Sequence, residues 1–541
     1  MKTKFLHIAA ALLFSTAISS CSDFLDRTPL EELSDASFWK TEADAIMAVN
    51  DLYGCLPGLD QDDDINSDNC VHGIKWAAGN VSKGVYIASD QSWSFEYACI
   101  RKCNLVLEKV KGIEMSEESR KRIEGQAYFF RAYMYFTLIR SFGDVPYVDK
   151  PLNLSDLGDI TRTPRKDVYD KMMADFDKSI NYLPKSWDAA NTPRITQGAA
   201  LAMKARAALY YADWAVAAES SKKVIDLGKY ELYDAQNTGK YKELFWEITD
   251  GCAENILYVQ YKYPDKTHEL IGWNCFPTKG WGGLNPTQSL VDAFEDIEGA
   301  PISVSTIYNE KDPFKNRDPR LEVNILHDGE TMYGVPIKVK PLKSSGSTGI
   351  GQHGDATATG YYQQKWLDPS IDPQSTGWTM GKDLVAIRYA EVLLTYAEAK
   401  NELEPLHSDA FEAVNQVRRR VGMPDLQNID ASKPTYCDSQ DALRKRIWNE
   451  WRVEFAMEGG KRMWDIRRWG IAKDVLNAPF LGLKMKEVTV NGETDFILYE
   501  GENIKLAGSH YEDHNYLMPV PQTELDLNKK LGQNPGYPVG N

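Results

Sequence analysis

The stretch that most restricts the fold is residues 196–228, TQGAALAMKARAALYYADWAVAAESSKKVIDLG. Small side chains (Ala200, Ala205, Ala208, Ala212, Ala217, Ala218) alternate with bulky ones (Leu209, Tyr210, Trp214, Val224). Small residues let two antiparallel helices approach closely, and the large ones fill the neighbouring groove. A similar pattern returns near 388–421, as RYAEVLLTYAEAKNEL, a short turn and DAFEAVNQVRRRVG. Two such units predict a scaffold of stacked helix pairs.

The rest of the first half reads the same way. Residues 38–54 and 93–111 are amphipathic. Residues 119–141 place Ala127, Phe130, Tyr133, Met134 and Leu138 at helical spacing and stop at Phe142-Gly143-Asp144-Val145-Pro146, a Gly/Pro terminator. A further helix is predicted over 165–183, ending at Pro184. The helix pairs resemble tetratricopeptide units, but the sequence between them is far longer than one repeat. That interruption, 229–380, is rich in Gly, Pro, Asn, Asp and aromatics, with short β-like pieces such as residues 256–261. Long irregular loops inside a compact protein are usually functional. Residues 57–92 form a smaller region of this kind. The chain closes with one charged amphipathic helix over 438–470, a hairpin-like stretch over 485–500 and an extended tail. The expected fold is mainly α: a tetratricopeptide-like helix-pair scaffold with a large irregular insertion containing short strands. The expected organisation is a signal peptide at 1–20 and a single domain over 21–541. Within it, scaffold covers about 30–228 and 382–470, a loop-rich insertion covers about 229–380, and an extended segment covers 471–541.

Acidic residues outnumber basic ones, 78 to 62, for a net charge of −16. A nucleic-acid surface is normally basic, so that partner class is disfavoured. Residues 1–20 carry Lys2 and Lys4 ahead of an apolar run too short to span a bilayer, which is the layout of a secretory signal. The run ends Ile18-Ser19-Ser20-Cys21, which resembles the lipobox whose cysteine thiolate is lipidated, so Cys21 is the expected lipid anchor. Several acyl chains would hold the protein stably at a membrane. The other seven cysteines are scattered, with no dense disulfide framework. Cys99 and Cys103 share a helical face and read as two small buried residues, not a zinc site.

Other motifs are weak. Gly349–Gly354 matches GxGxxG in letters, but it lacks the preceding strand and following helix that would present amides to a pyrophosphate. Asp60, Asp62, Asp63, Asp64, Asn66 and Asp68 form an acidic loop, but Ile65 stands where a calcium loop of the EF-hand type needs Gly. A loop calcium ion is therefore unsupported, and no cofactor is expected. Carboxylates are plentiful, yet nothing singles out the pair a glycosidase would need.

Several segments together resemble the SusD/RagB family of Bacteroidetes outer-membrane nutrient-binding lipoproteins. They are CSDFLDRTPL after the lipobox, GQAYFFRAYMYFTLIRSFGDVPYV, GWGGLNPTQSLVDAFE, DPFKNRDPRL, IRYAEVLLTYAEAKNEL, IWNEWRVEFAMEGGKRMWDIRRWG and YLMPVPQTELDLNKKLGQNPGY, in the family's order from end to end. One departure is Trp451, where the family often carries Arg. The charged residues of 447–470, among them Glu450, Arg452, Glu454, Glu458, Arg462, Asp465 and Arg467, are expected to lock helices together through charge pairs.

The resemblance implies a surface lipoprotein, anchored in the outer membrane, that captures a glycan and hands it to a SusC-like TonB-dependent transporter. No catalysis is implied. Peptide capture is the alternative ligand, and a surface glycoside hydrolase or a pure interaction scaffold are the alternatives of other classes. Sugar sites pair flat aromatics with polar side chains, because a sugar has apolar C–H faces and many hydroxyls. This directs attention to Asp68, Trp76, Asn80 and Tyr86, and to Trp273, Asn274, Trp281, Tyr361, Tyr362, Trp366 and Trp378. Trp93 leads into a helix and reads as core; Tyr361 and Tyr362 read as strand residues with one facing outward.

Overall fold

The computed structural model describes residues 38–56, 63–73, 84–153 and 160–538. Cys21 and the signal-like segment lie outside them. The helices of the first half are α1 (Glu42–Leu52), α2 (Ser94–Lys109), α3 (Glu117–Phe142), α4 (Arg165–Tyr182), α5 (Gln197–Tyr210) and α6 (Trp214–Asp226). After the insertion come α7 (Tyr389–Leu403), α8 (Ser408–Arg419), α9 (Gln440–Glu454) and α10 (Lys461–Arg468). Their starts follow local side-chain chemistry. Thr41 and Asp44 form a reciprocal capping box on α1, and Ser116, Thr196 and Ser439 accept amide hydrogen bonds at the starts of α3, α5 and α9. At the end of α3, Gly143 takes φ +75°, a left-handed conformation that a glycine adopts without steric cost.

Successive helices pack in order, α2 on α3, α3 on α4, α4 on α5 and α5 on α6. Then α7 packs directly on α6 and carries α8 and α9, so the helical stack continues across the insertion. Of the small residues in the pattern, Ala200, Ala205, Ala208 and Ala217 are fully buried between helices, whereas Ala212, at φ +55°, is exposed in the turn between α5 and α6. One core joins these helices, and a second, separate core underlies the insertion.

The strands are short. β1 (Cys70–His72) pairs antiparallel with β3 (Leu284–Pro286), and β2 (Asn255–Val259) with β4 (Leu384–Arg388). β5 (Leu481–Val490) lies between β6 (Glu493–Leu498) and β7 (Glu502–Lys505). The β5–β6 turn is Asn491-Gly492 with both residues at positive φ, the requirement of a tight type I′ hairpin.

Two expectations need correction. Residues 438–470 are two helices, not one. The amphipathic period runs through the segment, but Met457, Gly459 and Gly460 all have positive φ and break it. The break is held from outside, because the Met457 amide donates to the buried Asp64 carboxylate. Second, Cys99 is bonded to Cys55 in a disulfide across 44 residues of sequence, while Cys103 is a free buried thiol as expected. Reducing this bridge, or replacing both cysteines with alanine, is expected to lower stability by about 2–4 kcal/mol; denaturant unfolding with and without reductant reads this.

The charged residues of α9 and α10 do lock the structure. Glu454 is fully buried and meets Arg388 at 2.6 Å, Arg320 at 3.0 Å and Arg420. Arg388 also pairs with Glu254 at 2.8 Å and Glu458 at 2.9 Å, and Arg418 joins Glu450 to Glu295, each at 2.9 Å. These residues come from the insertion, the end of β4, helices α8 and α9 and the segments that follow them, so one ion network joins scaffold to insertion.

Burial pushes the Asp64 carboxyl up to about 6, against the lowering effect of the Met457 amide. A carboxyl raised on folding adds stability that is complete below its unfolded pKa and is lost as pH rises through about 6. Asp64→Asn is therefore expected to match the parent near about pH 4 and to exceed it in melting temperature at neutral pH. A lower melting temperature of the variant at both values would contradict this.

Candidate functional site

Three of the sequence-predicted aromatics come together. Trp273 lies in the last turn of the short helix Leu270–Asn274, Trp281 follows in the loop that leads into β3, and Trp378 comes from a distant loop before β4. The Trp273 and Trp281 ring centroids are 6.4 Å apart, those of Trp281 and Trp378 5.6 Å, and each pair is tilted by 46°. Trp378 is 41% exposed, and the other two are half-buried. The result is a row of three indoles with Trp281 in the centre.

Glycines make the row possible. The Trp281 amide donates to the Gly272 carbonyl at 3.0 Å, and the Gly283 amide to the Trp273 carbonyl at 2.8 Å, zipping the two segments together. A Cβ on Gly272 would lie 2.4 Å from the Trp378 Cβ and 3.0 Å from the Trp281 ring. One on Gly283 would lie 2.5 Å from the Trp273 indole nitrogen. The indoles thus rest directly on backbone, which fixes their planes.

The two loops are also clamped by polar groups. Lys279 pairs with Asp372 at 2.8 Å and donates to Gln374 at 3.3 Å, while the Gln374 amide donates to the Thr278 carbonyl at 2.6 Å. Trp378 has φ +65°, and its amide donates to the Pro373 carbonyl at 2.6 Å. The hydrogen bond from Lys279 holds the Asp372 carboxyl below the usual carboxylate range. The charges in the clamp cancel, leaving a platform of neutral aromatic faces edged by Thr278, Gln374 and Ser375. Such a surface suits the C–H faces and hydroxyls of an uncharged ligand.

The other candidates are placed differently. Trp76 and Asn80 lie outside the described residues. Asp68 is buried in an ion cluster of its own: Arg452 lies 2.7 Å and Arg462 2.8 Å from its carboxylate, and they outweigh burial to hold it down to about 2. Tyr361 and Tyr362 are both buried, so neither faces out; their hydroxyls donate to Gln288 and to the Thr348 carbonyl. Trp366 is buried with its indole N–H on the Met457 carbonyl at 2.9 Å, and Tyr86 is buried against Arg467. Asn274, next to Trp273 in sequence, is buried, and its side chain makes no hydrogen bond among the described residues. As packed, none of these six presents a surface to a ligand. Trp93 is core, as expected.

Sequence reasoning missed Tyr263, which is 44% exposed. It sits on the turn that contacts Gly381, where a Cβ would lie 2.3 Å from the Tyr263 amide, and the same turn is bridged by His268 and Met380 next to Trp378. The Tyr263-Pro264-Asp265-Lys266 turn chemistry was the available signal.

Two family models match the chain. The model described as "SusD family" matches residues 254–537, and the one described as "Starch-binding associating with outer membrane" matches 23–209. A SusD-like protein of Bacteroides fragilis superposes with a TM-score of 0.80 at 31% identity, covering 94% of this chain and 100% of that one. A second B. fragilis structure, a SusD-like carbohydrate binding protein, gives 0.80 at 27% identity, covering 92% and 100%. SusD-like protein P2 of Formosa agariphila is 26% identical over 540 residues, 96% of this chain and 97% of the relative.

Proposed function

From the premise that this chain belongs to the SusD family, we propose that it is a non-catalytic capture protein that holds a neutral glycan on the Trp273–Trp281–Trp378 row. It acts at the outer membrane, held by lipid on Cys21, and delivers its ligand to a SusC-like TonB-dependent transporter. The observation that carries the reading is the row itself: three indoles from two loops, fixed on glycine backbone and left open to solvent. Packing alone would not need Trp378 to remain 41% exposed. The description of one family match as starch-binding and of one relative as carbohydrate binding supports the same ligand class.

The test is migration of the chain lacking residues 1–21 in native gels cast with plant, fungal, bacterial and host polysaccharides. Retardation by at least one neutral polymer, with no release of reducing ends, is expected. Release of reducing ends would replace this reading with a hydrolase. Absence of retardation by every polymer, together with binding of peptides in solution, would replace it with peptide capture.

A further inference from the structure

A cavity of about 270 Å³ lies in the helical scaffold and shares no lining residue with the tryptophan row. It is bounded by α3, α5, β4, α7, α9 and α10. Its size is just below the usual range for ligand pockets, which suits a molecule of a few carbons. One lysine lines it, Lys461. The cavity is open to solvent there, because the side chain of Lys461 keeps 16% exposure and that of Arg206 keeps 19%.

The two carboxylates nearest in charge to Lys461 are already claimed by arginines. Arg206 takes both oxygens of Glu391, and Arg388 takes both oxygens of Glu458 at 2.9 Å each. The Lys461 ammonium is left 3.6 Å from Glu391, beyond hydrogen-bond reach, and makes no hydrogen bond among the described residues. Lys461 is also the first residue of α10, where the positive end of the helix dipole disfavours a cation. Burial above all, then the charges of Arg206 and Arg388, push its pKa below the usual lysine range, against the pull of Glu391 and Glu458. A buried lysine beside other cations sheds its proton more readily than an exposed one, and the free amine is the nucleophilic form.

An acid stands beside it. Asp465 follows Lys461 by four residues on α10, so the two side chains share a helix face with their Cβ atoms about 6 Å apart. Both line the cavity. Burial pushes the Asp465 carboxyl up to about 6, although Arg468 lies 2.8 Å from one of its oxygens and pulls the other way. An amine and a carboxyl able to hold a proton, in one small solvent-reached cavity, are the pair that imine formation uses.

We propose that this cavity is a covalent binding site for a small aldehyde, no larger than an open-chain sugar, with Lys461 as the nucleophile and Asp465 as the proton relay. The Lys461 nitrogen bonds to the aldehyde carbon, and a C=N bond replaces C=O. The oxygen leaves as water with both amine hydrogens, one of them passed through Asp465, and nothing is oxidised or reduced. The site is independent of the glycan reading of the tryptophan row.

The test is labelling of the chain lacking residues 1–21 with DL-glyceraldehyde at pH 7. Sodium cyanoborohydride is included to reduce the imine to a stable secondary amine, and peptide mass spectrometry locates the label. The exposed Lys166 and Lys445, at 74% and 71% side-chain exposure, serve as references. Lys461 is expected to label at least about tenfold faster than either, the gain in free amine from one unit of lowered pKa. Its rate should saturate with aldehyde concentration, because the cavity fills before the bond forms, while theirs rises linearly. Unfolding in urea should erase the preference. Asp465→Asn should slow labelling of Lys461 severalfold and leave Lys166 unchanged. Trp281→Ala should label as the parent does, which separates this site from the row. Equal rates at Lys461 and Lys166, a Lys461 rate linear in aldehyde, a preference that survives urea, or a parental Lys461 rate in Asp465→Asn would overturn the proposal.

Discussion

Trp281→Ala will release the captured glycan. Its indole is the centre of the row and the one ring in contact with both neighbours. Removing it leaves two isolated rings and a gap above Gly272, whose backbone lies against the Trp281 ring. Central aromatic anchors typically account for about 2 kcal/mol or more of binding, roughly a thirtyfold change in affinity. Trp378→Ala, at the exposed end, is expected to cost about tenfold, and the two substitutions together should remove retardation altogether. Trp378 is the cleaner probe of binding without folding, because it is the most exposed of the three. A melting temperature within a few degrees of the parent should accompany its loss of affinity.

The second large effect is on stability. Glu454→Gln will destabilise the protein by about 3–5 kcal/mol, the usual cost of breaking a buried ion pair from one side. The carboxylate faces Arg388, Arg320 and Arg420 with no exposure to water, and glutamine keeps its shape without its charge. Burial alone would raise the pKa of Glu454, but the guanidiniums of Arg420, Arg388 and Arg320 outweigh it and hold the carboxyl well below the usual range. A depressed carboxylate contributes stability that is present above its unfolded pKa and is lost as pH falls through the folded one. The gap between parent and variant should therefore be full at neutral pH and begin to narrow below about pH 4.5. Denaturant melts at pH 7 and pH 4 read both parts. A gap that is equal or wider at the lower pH would contradict this account of the network.

The fold was legible where one segment decides its own structure. The alanine-rich pair at 196–228, the Gly143 stop and the hairpin within 485–500 are all local signals. The break at 455–460 was not read, because the hydrophobic period continues through it and the residue that holds it, Asp64, lies nearly four hundred positions earlier. The Cys55–Cys99 bridge was missed for a related reason: the helical spacing of Cys99 and Cys103 drew attention to the wrong neighbour.

The candidate site divides along the same line. Trp273, Trp281 and Trp378 stood out because bulky indoles among Gly, Ser and Thr have little local sequence to pack against. Asp68 looked equally exposed in an acidic loop, but Arg452 and Arg462 claim it from the far end of the chain. Tyr361 looked strand-like and half-exposed, yet Gln288 and the insertion core enclose it. The Lys279–Asp372 clamp, which cancels charge around the row, spans 93 positions and leaves no local trace. Burial by distant partners is the property that one-dimensional patterns do not encode.

The central claim is that glycan capture resides in the row of three indoles. The most direct measurement is the dissociation constant of the parent protein and of Trp273→Ala/Trp281→Ala/Trp378→Ala for one polysaccharide that retards the parent, by isothermal titration. Both proteins should first show folded circular-dichroism spectra. The account predicts saturable binding to the parent and no detectable heat of binding to the triple variant. Binding of the triple variant within threefold of the parent would place capture elsewhere on the molecule and contradict it.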